Sequence, residues 1–116
     1  MEGIGIMRET ANMRQAREHI DGAFLGTDEE AVQMAYYLLQ HEGLYIGPSA
    51  AFNVCGAVKL AKRLGPGKTV ATVLCDTGDR YVSKLYDEAW LKNNNFDHLH
   101  LKQKDFSLDS VLDFVA

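Results

Sequence analysis

The fold is decided by residues 43–85, GLYIGPSAAFNVCGAVKLAKRLGPGKTVATVLCDTGDRYVSKL. Leu44–Ile46 is a short apolar run, Thr69–Cys75 is a longer β-prone run, and a helical pattern separates them. Two strands joined through one helix predict a parallel βαβ unit, and therefore an α/β fold. Ligands in such sheets bind at the carboxyl ends of the strands. We therefore expect Gly47–Ser49 and Asp76–Asp79, which follow the two strands, to form part of a small-molecule site.

The pattern of caps and apolar residues predicts several helices. Thr27 and Glu30 have the spacing of a capping box, and apolar residues at helical intervals follow up to Gly43, which suits a left-handed C-terminal position. Ser49 is a natural N-cap for the next helix, which should end at the Leu64-Gly65-Pro66-Gly67 stop signal. Shorter helices are predicted over 12–20 and 87–92, and the second should be broken by the asparagines at 93–95.

Composition restricts the class of protein. The chain has 116 residues, enough for one small domain, and its net charge of −4 without a long Lys/Arg run argues against a nucleic-acid surface. No apolar run approaches the ~20 residues that a membrane span requires, and residues 1–17 lack the apolar core of a secretory signal. Cys55 and Cys75 lie in apolar stretches, and we expect both to be reduced and buried. An intracellular location, cytoplasmic or mitochondrial, follows from these features.

Two tempting motifs are rejected. Gly65-Pro66-Gly67-Lys68-Thr69 resembles a phosphate-binding loop, but Lys62 stands where the motif needs its first glycine, and the order of helix and strand is reversed. The four histidines do not share a helix face and have no cysteine at zinc spacing. His98 and His100 are better explained as solvated residues than as ligands on an edge strand, and we predict no metal.

Ser49 has two possible roles. It is expected where a strand ends and a helix begins, so that its hydroxyl and the first free amides would face one cavity. The simpler interpretation is a helix N-cap. A nucleophile elbow is excluded, because Gly-x-Ser-x-Gly would need glycine at Ala51.

Many positions together, in order and spacing, resemble the C-terminal region of the cysteine synthase (O-acetylserine sulfhydrylase) family. They are Gly43-Leu44, Gly47-x-Ser49, Asn53-Val54-x-Gly56-Ala57, Ala61, Leu64-Gly65-Pro66-Gly67 and Thr72-Val73-Leu74-Cys75-Asp76-x-Gly78-x-Arg80-Tyr81-x-Ser83-Lys84-Leu85. Glu2-Gly3-Ile4-Gly5 resembles the glycine loop that precedes this region, so the resemblance spans roughly residues 2–92. One departure is Ser49-Ala50-Ala51, where the family often has Ser-Ser-Gly.

This resemblance implies part of a fold-type II pyridoxal-phosphate enzyme, the architecture of cystathionine β-synthase and the tryptophan synthase β-chain. The expected structure is an α/β lobe of parallel strands with flanking helices and an incomplete sheet. In that family the serine at the position of Ser49 hydrogen-bonds the pyridine nitrogen of pyridoxal 5′-phosphate. The resemblance places Asp76, Thr77 and Gly78 beside the same ring edge, and Gly3, Ile4 and Gly5 on the substrate side of the cleft.

The resemblance also implies what this chain lacks. The family's Schiff-base lysine and its phosphate-cradling loop precede the matched region, and no lysine here has the family's serine-lysine-aspartate-arginine context. The complete enzyme makes L-cysteine from O-acetylserine and sulfide, and we expect this chain alone to be inactive, with no catalytic residue of its own.

The resemblance divides the chain into a lobe over 1–95 and a weakly helical or disordered tail over 96–116. An incomplete sheet exposes strand edges, which predicts a homo-oligomer or a complex with a complementary N-terminal fragment or a homologue. Three hypotheses stay open, in decreasing order of support: part of a pyridoxal-phosphate enzyme, a binding or regulatory lobe, and an unrelated α/β domain that uses Ser49 in a hydrolytic or anion site. An amino-acid substrate is expected only in the complete enzyme.

Overall fold

A computed structural model describes residues 4, 6–99, 101, 113 and 115. The α-helices within these residues are α1 (Ala11–Ala16), α2 (Asp28–His41), α3 (Pro48–Leu64) and α4 (Glu88–Asn93). Turns of 3₁₀ helix lie at Arg17–His19, Gly78–Tyr81 and Asp97–Leu99. The helices predicted over 12–20, after Thr27, after Ser49 and over 87–92 are thus confirmed, with α1 passing into a 3₁₀ turn.

Helix α2 begins as its capping box predicts. The Glu30 amide donates to Thr27 Oγ1 at 3.2 Å, and the Thr27 amide donates to Glu30 Oε2 at 2.8 Å. Together these bonds satisfy two amides that have no partner inside the helix. Gly43 has a φ of 67°, which confirms the left-handed residue after the helix.

Helix α3 begins two residues earlier than predicted. Gly47 is its N-cap and Pro48 its first residue, so Ser49 lies inside the first turn and its prediction as N-cap is wrong. Proline is well suited to this place because its φ is already helical and its missing N–H would have no partner there. The predicted end is confirmed, since α3 stops at Leu64 and is followed by Gly65 with a φ of 75°.

The core lies where α2 packs against α3. The buried side chains that form it are Ala31, Val32, Met34, Ala35, Tyr36, Tyr37, Leu38, Ile46, Ala50, Ala51, Cys55, Leu85, Leu91, Leu101 and Val115. Leu101 and Val115 belong to the segment predicted as a tail, and the Leu101 carbonyl accepts a hydrogen bond from Gln40 Nε2 at 2.7 Å. At these two points the segment therefore contacts the rest of the chain, while most of 102–116 lies outside the described residues.

The described residues do not confirm the predicted parallel sheet. The two runs meet in a single antiparallel bridge between Ile46 and Thr77, and neither run forms a strand in the described part of the chain. Thr69–Cys75 passes along α3 and is mostly exposed, with Val73 at 68%. Asn53 Nδ2 donates to the Val73 carbonyl at 2.9 Å. A strand needs a neighbour along its whole length, and no such neighbour lies beside this run among the described residues.

Two smaller predictions can also be compared. Both cysteines are free, but Cys75 is exposed where a buried thiol was predicted, because no strand covers the run that carries it. His98 lies exposed in the 3₁₀ turn Asp97–Leu99, as predicted for a solvated residue, and His100 lies outside the described residues. None of the helices in the described part of the chain is long and apolar enough to cross a membrane.

Candidate functional site

Two turns that are far apart in sequence lie side by side at the start of α3. The Gly47 amide donates to the Asp76 carbonyl at 3.0 Å, and the Gly78 amide donates to the Tyr45 carbonyl at 3.1 Å. These bonds join the serine turn, which we define as Gly47–Ser49, to the acidic turn, Asp76–Gly78. Four predicted site residues, Ser49, Asp76, Thr77 and Gly78, are thereby brought to one end of α3.

Each of the two turns has a glycine at a position where a Cβ would overlap a neighbouring side chain. A Cβ on Gly47 would overlap Oδ1 of Asp76 and lie 2.8 Å from the Tyr81 ring. A Cβ on Gly78 would overlap the ring of Tyr45. Gly47 has a φ of −78°, so its requirement is one of space and not of backbone conformation.

The side chains of the acidic turn point in different directions. Asp76 Oδ2 accepts a hydrogen bond from the Tyr81 hydroxyl at 2.8 Å, while Asp76 Oδ1 is buried without a partner among the described residues. The Thr77 hydroxyl donates to Asp79 Oδ2 at 2.6 Å, and both residues are exposed. The Asp76 carboxylate is therefore enclosed over the serine turn, whereas Thr77 faces solvent.

Ser49 lies half-buried in the first turn of a 17-residue helix. The first intrahelical bond of α3 runs from the Ala51 amide to the Gly47 carbonyl at 3.1 Å. The amides of Ser49 and Ala50 precede it, and first-turn amides of this kind are available to a ligand. Ser49 thus keeps the surroundings predicted for a binding hydroxyl, although it is not the cap.

The predicted substrate-side loop is described in part. Ile4 is exposed, while Gly3 and Gly5 lie outside the described residues. The position of this loop relative to Ser49 therefore stays a prediction.

Three tyrosines, Tyr36, Tyr45 and Tyr86, pack together beside the site. Tyr86 donates to the Ile46 carbonyl at 2.7 Å, and its ring lies 4.7 Å from that of Tyr45 and 5.5 Å from that of Tyr36. Burial raises the pKa of Tyr86 and of Tyr36. The two phenols are therefore neutral supports for the residues that precede the serine turn.

Two cavities adjoin α3. One, of 530 Å³, is lined by Pro48 and Tyr81 together with residues of α2, of α4 and of the segment between 84 and 96. The other, of 720 Å³, lies along α3 between residues 21–26 and 70–72. Ser49 lines neither of these two cavities, so we place the candidate site at the junction of the two turns, where Ser49 is half-buried and Thr77 is exposed. Within the described residues, no group of three or more His, Cys, Asp or Glu side chains could hold a metal ion.

Comparison with known proteins identifies the family to which the chain belongs. Residues 1–76 match the model of the pyridoxal-phosphate dependent enzymes. The chain belongs to this family. The matched residues include α2, the serine turn and α3, and they end at Asp76, where the second turn of the candidate site begins. Pyridoxal phosphate is the cofactor of the family, and the fold-type II architecture inferred from the sequence is supported.

Several curated relatives are named cysteine synthases. The chain is 52% identical to "Cysteine synthase" of Dictyostelium discoideum over 105 residues, which are 90% of the chain and 27% of that protein. It is 48% identical to "Cysteine synthase 2" of Schizosaccharomyces pombe over 111 residues, 96% of the chain and 27% of that protein. A "Putative mitochondrial cysteine synthase" of Saccharomyces cerevisiae is 36% identical over 112 residues, 97% of the chain and 26% of the relative.

These matches set the extent of the resemblance. The chain spans about a quarter of the length of the curated relatives it matches. A match over 111 of the 116 residues extends well beyond Asn93, further than the motifs in the sequence alone. Residues 96–116 are therefore largely part of the region shared with cysteine synthases.

The residues at the candidate site suit the pyridine-nitrogen end of the family's cofactor. A half-buried serine hydroxyl at the start of a helix can form a single hydrogen bond to a pyridine nitrogen. The carboxylate of Asp76 accepts from Tyr81 and lies over Gly47. Ser49 is the side chain that suits this contact.

Proposed function

We propose that the chain forms the ring-nitrogen side of the pyridoxal-phosphate site of a cysteine synthase. The proposal is carried by the pairing of the serine turn with the acidic turn, which the Gly47–Asp76 and Gly78–Tyr45 hydrogen bonds hold together. This pairing gathers four residues that the sequence resemblance assigns to the cofactor. The complete enzyme would make L-cysteine, in line with relatives named cysteine synthase, and the sequence resemblance implies O-acetylserine and sulfide as its substrates.

Ser49 is assigned the contact with the pyridine nitrogen. When bound, the cofactor supplies an electron sink for β-elimination and β-addition on an amino-acid substrate. A neutral hydroxyl does not hold the ring nitrogen protonated as a carboxylate would, so the sink is milder. Ser49 would thereby orient the ring and favour replacement of the β-substituent over other reactions of the amino acid.

Thr77 and Gly78 are assigned to the edge of the ring. Thr77 is exposed, and Gly78 is buried against Tyr45, so a flat ligand in this place would meet a small, firmly held turn. Asp76 is assigned to the same edge of the ring through its main chain, whose carbonyl accepts a hydrogen bond from the Gly47 amide. Ile4, with Gly3 and Gly5, is assigned to the substrate side on the resemblance alone.

The chain by itself is expected to be inactive in cysteine synthesis. Schiff-base chemistry requires a lysine placed to react with the cofactor, and the lysines here lack the family's context for that residue. Incubation with pyridoxal phosphate followed by borohydride should therefore give no stoichiometric adduct on a single lysine in the intact mass. One such adduct, or formation of cysteine from O-acetylserine and sulfide, would contradict this expectation.

A second candidate function is a lobe that associates with another polypeptide. The observation that favours it is the exposed apolar run at 69–75, in which Val73 is 68% and Leu74 44% exposed, next to Leu64 at 47%. Exposed apolar segments with unpaired backbone attract a further strand. The partner would be an apolar strand from a complementary portion of a homologous enzyme, and a second copy of this chain is the other outcome. Sedimentation of the chain alone and of the mixture distinguishes these outcomes from a monomer that binds neither.

The compartment is also part of the proposal. We infer a reducing compartment, cytoplasmic or mitochondrial, because both cysteines are free and one relative is named as mitochondrial. Fractionation of cells that express the tagged protein would test this assignment.

Binding of an unreactive cofactor analogue tests the proposed site directly. 4-Deoxypyridoxine 5′-phosphate has the ring nitrogen and phosphate of the cofactor but no aldehyde, so it cannot label lysines. Titration followed by two-dimensional NMR should shift the Ser49 and Gly78 amides, and Ser49→Ala should weaken binding about fivefold, the loss of one neutral hydrogen bond. Ser83→Ala, an exposed serine beyond the acidic turn, is the control. Equal binding by wild type and Ser49→Ala would contradict the assignment of Ser49 to the ring nitrogen.

A further inference from the structure

The direction of Ser49 depends on the two residues before it. Gly47 is the N-cap of α3 and Pro48 its first residue, with a φ that the ring restricts. Little freedom is left at Pro48, so the orientation of the first turn is set mainly at Gly47. Whatever fixes Gly47 therefore also fixes Ser49.

Asp76 holds Gly47 on two sides. Its carbonyl accepts the Gly47 amide at 3.0 Å, and its carboxylate occupies the space where a Cβ of residue 47 would lie. The Tyr81 ring fills the neighbouring space, 2.8 Å from that Cβ position. Asp76 and Tyr81 together therefore enclose the glycine of the serine turn.

Only one of the two oxygens of the Asp76 carboxylate accepts a hydrogen bond from the described residues. Its Oδ2 accepts from the Tyr81 hydroxyl at 2.8 Å, whereas its Oδ1 is buried and has no partner among the described residues. A buried acceptor without a partner is costly. The Tyr81 hydroxyl, which bonds the other oxygen, therefore helps to keep the carboxylate in its place over Gly47.

We propose that Asp76 and Tyr81 are positioning residues for Ser49. The Tyr81 hydroxyl holds the Asp76 carboxylate against Gly47, and this contact fixes the turn that presents the serine. The inference rests on the proposed function only in naming what Ser49 meets, since the hold on the turn exists in the protein without ligand. It also gives the carboxylate of Asp76 a role other than cofactor contact.

Hydrogen exchange in the ligand-free protein tests the hold on the turn. Tyr81→Phe removes one oxygen and keeps the ring that packs at Gly47. We expect exchange of the Gly47 amide to rise about tenfold, as for one hydrogen bond to a charged group, while the amides of α2 keep their wild-type rates. Unchanged exchange at Gly47, or an equal rise throughout the protein, would overturn the proposal.

Two further variants separate positioning from a general loss of stability. Asp76→Asn keeps an oxygen that can accept from Tyr81, so the exchange rate of its Gly47 amide should stay within about twofold of wild type. In Asp76→Ala this rate should rise as much as in Tyr81→Phe. Tyr37→Phe also removes a hydroxyl, but from α2, where the ring stacks on His41 at 4.8 Å, and it should leave Gly47 unchanged. Wild-type exchange of the Gly47 amide in Asp76→Ala, or exchange in Asp76→Asn as fast as in Asp76→Ala, would refute the assignment.

Titration with 4-deoxypyridoxine 5′-phosphate then tests whether the contact of Tyr81 and Asp76 with Gly47 affects ligand binding through Ser49. Tyr81→Phe should weaken binding about fivefold in the wild-type background and not at all in Ser49→Ala, because its effect passes through the serine. An equal loss in both backgrounds would show that Tyr81 does not act through Ser49. If wild type and Ser49→Ala bind alike, the proposed function fails, and the exchange rates at Gly47 alone decide the positioning role.

Discussion

The ammonium group of Lys59 lies 2.8 Å from Glu30 Oε1, and only 10% and 8% of the two side chains are exposed. Lys59 Nζ also donates to the Leu25 carbonyl at 2.6 Å, and Glu30 Oε2 accepts the Thr27 amide at 2.8 Å. One ion pair therefore joins α3 to the first turn of α2 and to the segment that leads into it. It is a buried polar contact between the two long helices.

Replacing Lys59 by methionine should destabilise the protein strongly. The change keeps an unbranched apolar side chain but leaves the Glu30 carboxylate buried without its cation, which typically costs about 3–5 kcal/mol. Chemical denaturation of the purified chain measures the free energy of unfolding directly.

Lys68→Met provides the matched control, because Lys68 lies exposed in the loop after Gly67. We expect a change within about 0.5 kcal/mol for that variant. The double variant Lys59→Met/Glu30→Gln should recover part of the loss, since no buried charge is then left without its cation. A loss below about 1 kcal/mol for Lys59→Met would contradict the buried ion pair.

Gly47→Ala and Gly56→Ala should change stability in opposite directions. A methyl group at Gly47 would overlap the Asp76 carboxylate and the Tyr81 ring, and we expect a cost of about 1–3 kcal/mol. Gly56 lies inside α3 with nothing within 4 Å of a Cβ, so alanine should stabilise the helix by about 0.5–1 kcal/mol. Thermal unfolding of both variants checks the signs, and equal behaviour would show that space at Gly47 is not limiting.

The two cysteines should differ in reactivity. Cys75 is exposed, whereas Cys55 is 2% exposed, and burial raises the pKa of its thiol from 9.0 to about 12, with Glu30 adding to the rise. At pH 8 only about one Cys55 thiol in ten thousand is then ionised and able to react. Native protein treated with iodoacetamide should gain one label, on Cys75, and a second only after unfolding.

Cys75→Ser is the control for this labelling experiment. It should leave the folded protein without label over the time in which wild type reacts completely. Rapid modification of Cys55 in folded Cys75→Ser, located by peptide mapping, would mean that the α2–α3 interface opens far more readily than its packing indicates.

The helices could be predicted because their signals are local. Thr27 and Glu30 are three residues apart, and Gly43 and Gly65 follow directly on the helices they end, so neighbouring sequence was sufficient. The start of α3 was predicted two residues late, because Ser49 resembles a cap while Pro48 favours the first helical position. The run Thr69–Cys75 has the composition of a buried strand, but pairing depends on partners that composition does not specify.

The candidate site was predicted from topology and resemblance more than from local pattern. The junction of the serine turn with the acidic turn was expected because both follow apolar runs, and the Ile46–Thr77 bridge brings them together. The bonds of Asp76 to Tyr81 and of Glu30 to Lys59 were not predicted. The hydroxyl of Tyr81 and the ammonium group of Lys59 reach them through packing of separate elements, which no spacing in the sequence encodes.

Stability should fall at alkaline pH because of Cys55. In the unfolded chain this thiol has its ordinary pKa of 9.0, and in the folded protein burial raises that pKa to about 12. The unfolded state therefore loses the proton first, so the stabilisation is complete below pH 9 and is lost as pH rises from 9 to 12. The slope of the unfolding free energy should approach about 1.4 kcal/mol per pH unit within that window.

Cys55→Ala isolates this contribution. The cavity left by the smaller side chain should lower the free energy of unfolding by the same amount at every pH. The decrease of that free energy between pH 9 and 10 that is due to the thiol should disappear. The measurement should stop near pH 10, since burial also raises the pKa of Tyr36 and of Tyr86 and both add to the fall at higher pH. Urea denaturation at pH 8, 9 and 10 gives the two curves, which should converge as pH rises. Parallel curves would show that Cys55 ionises as easily in the folded protein as in the unfolded chain, against its burial between α2 and α3.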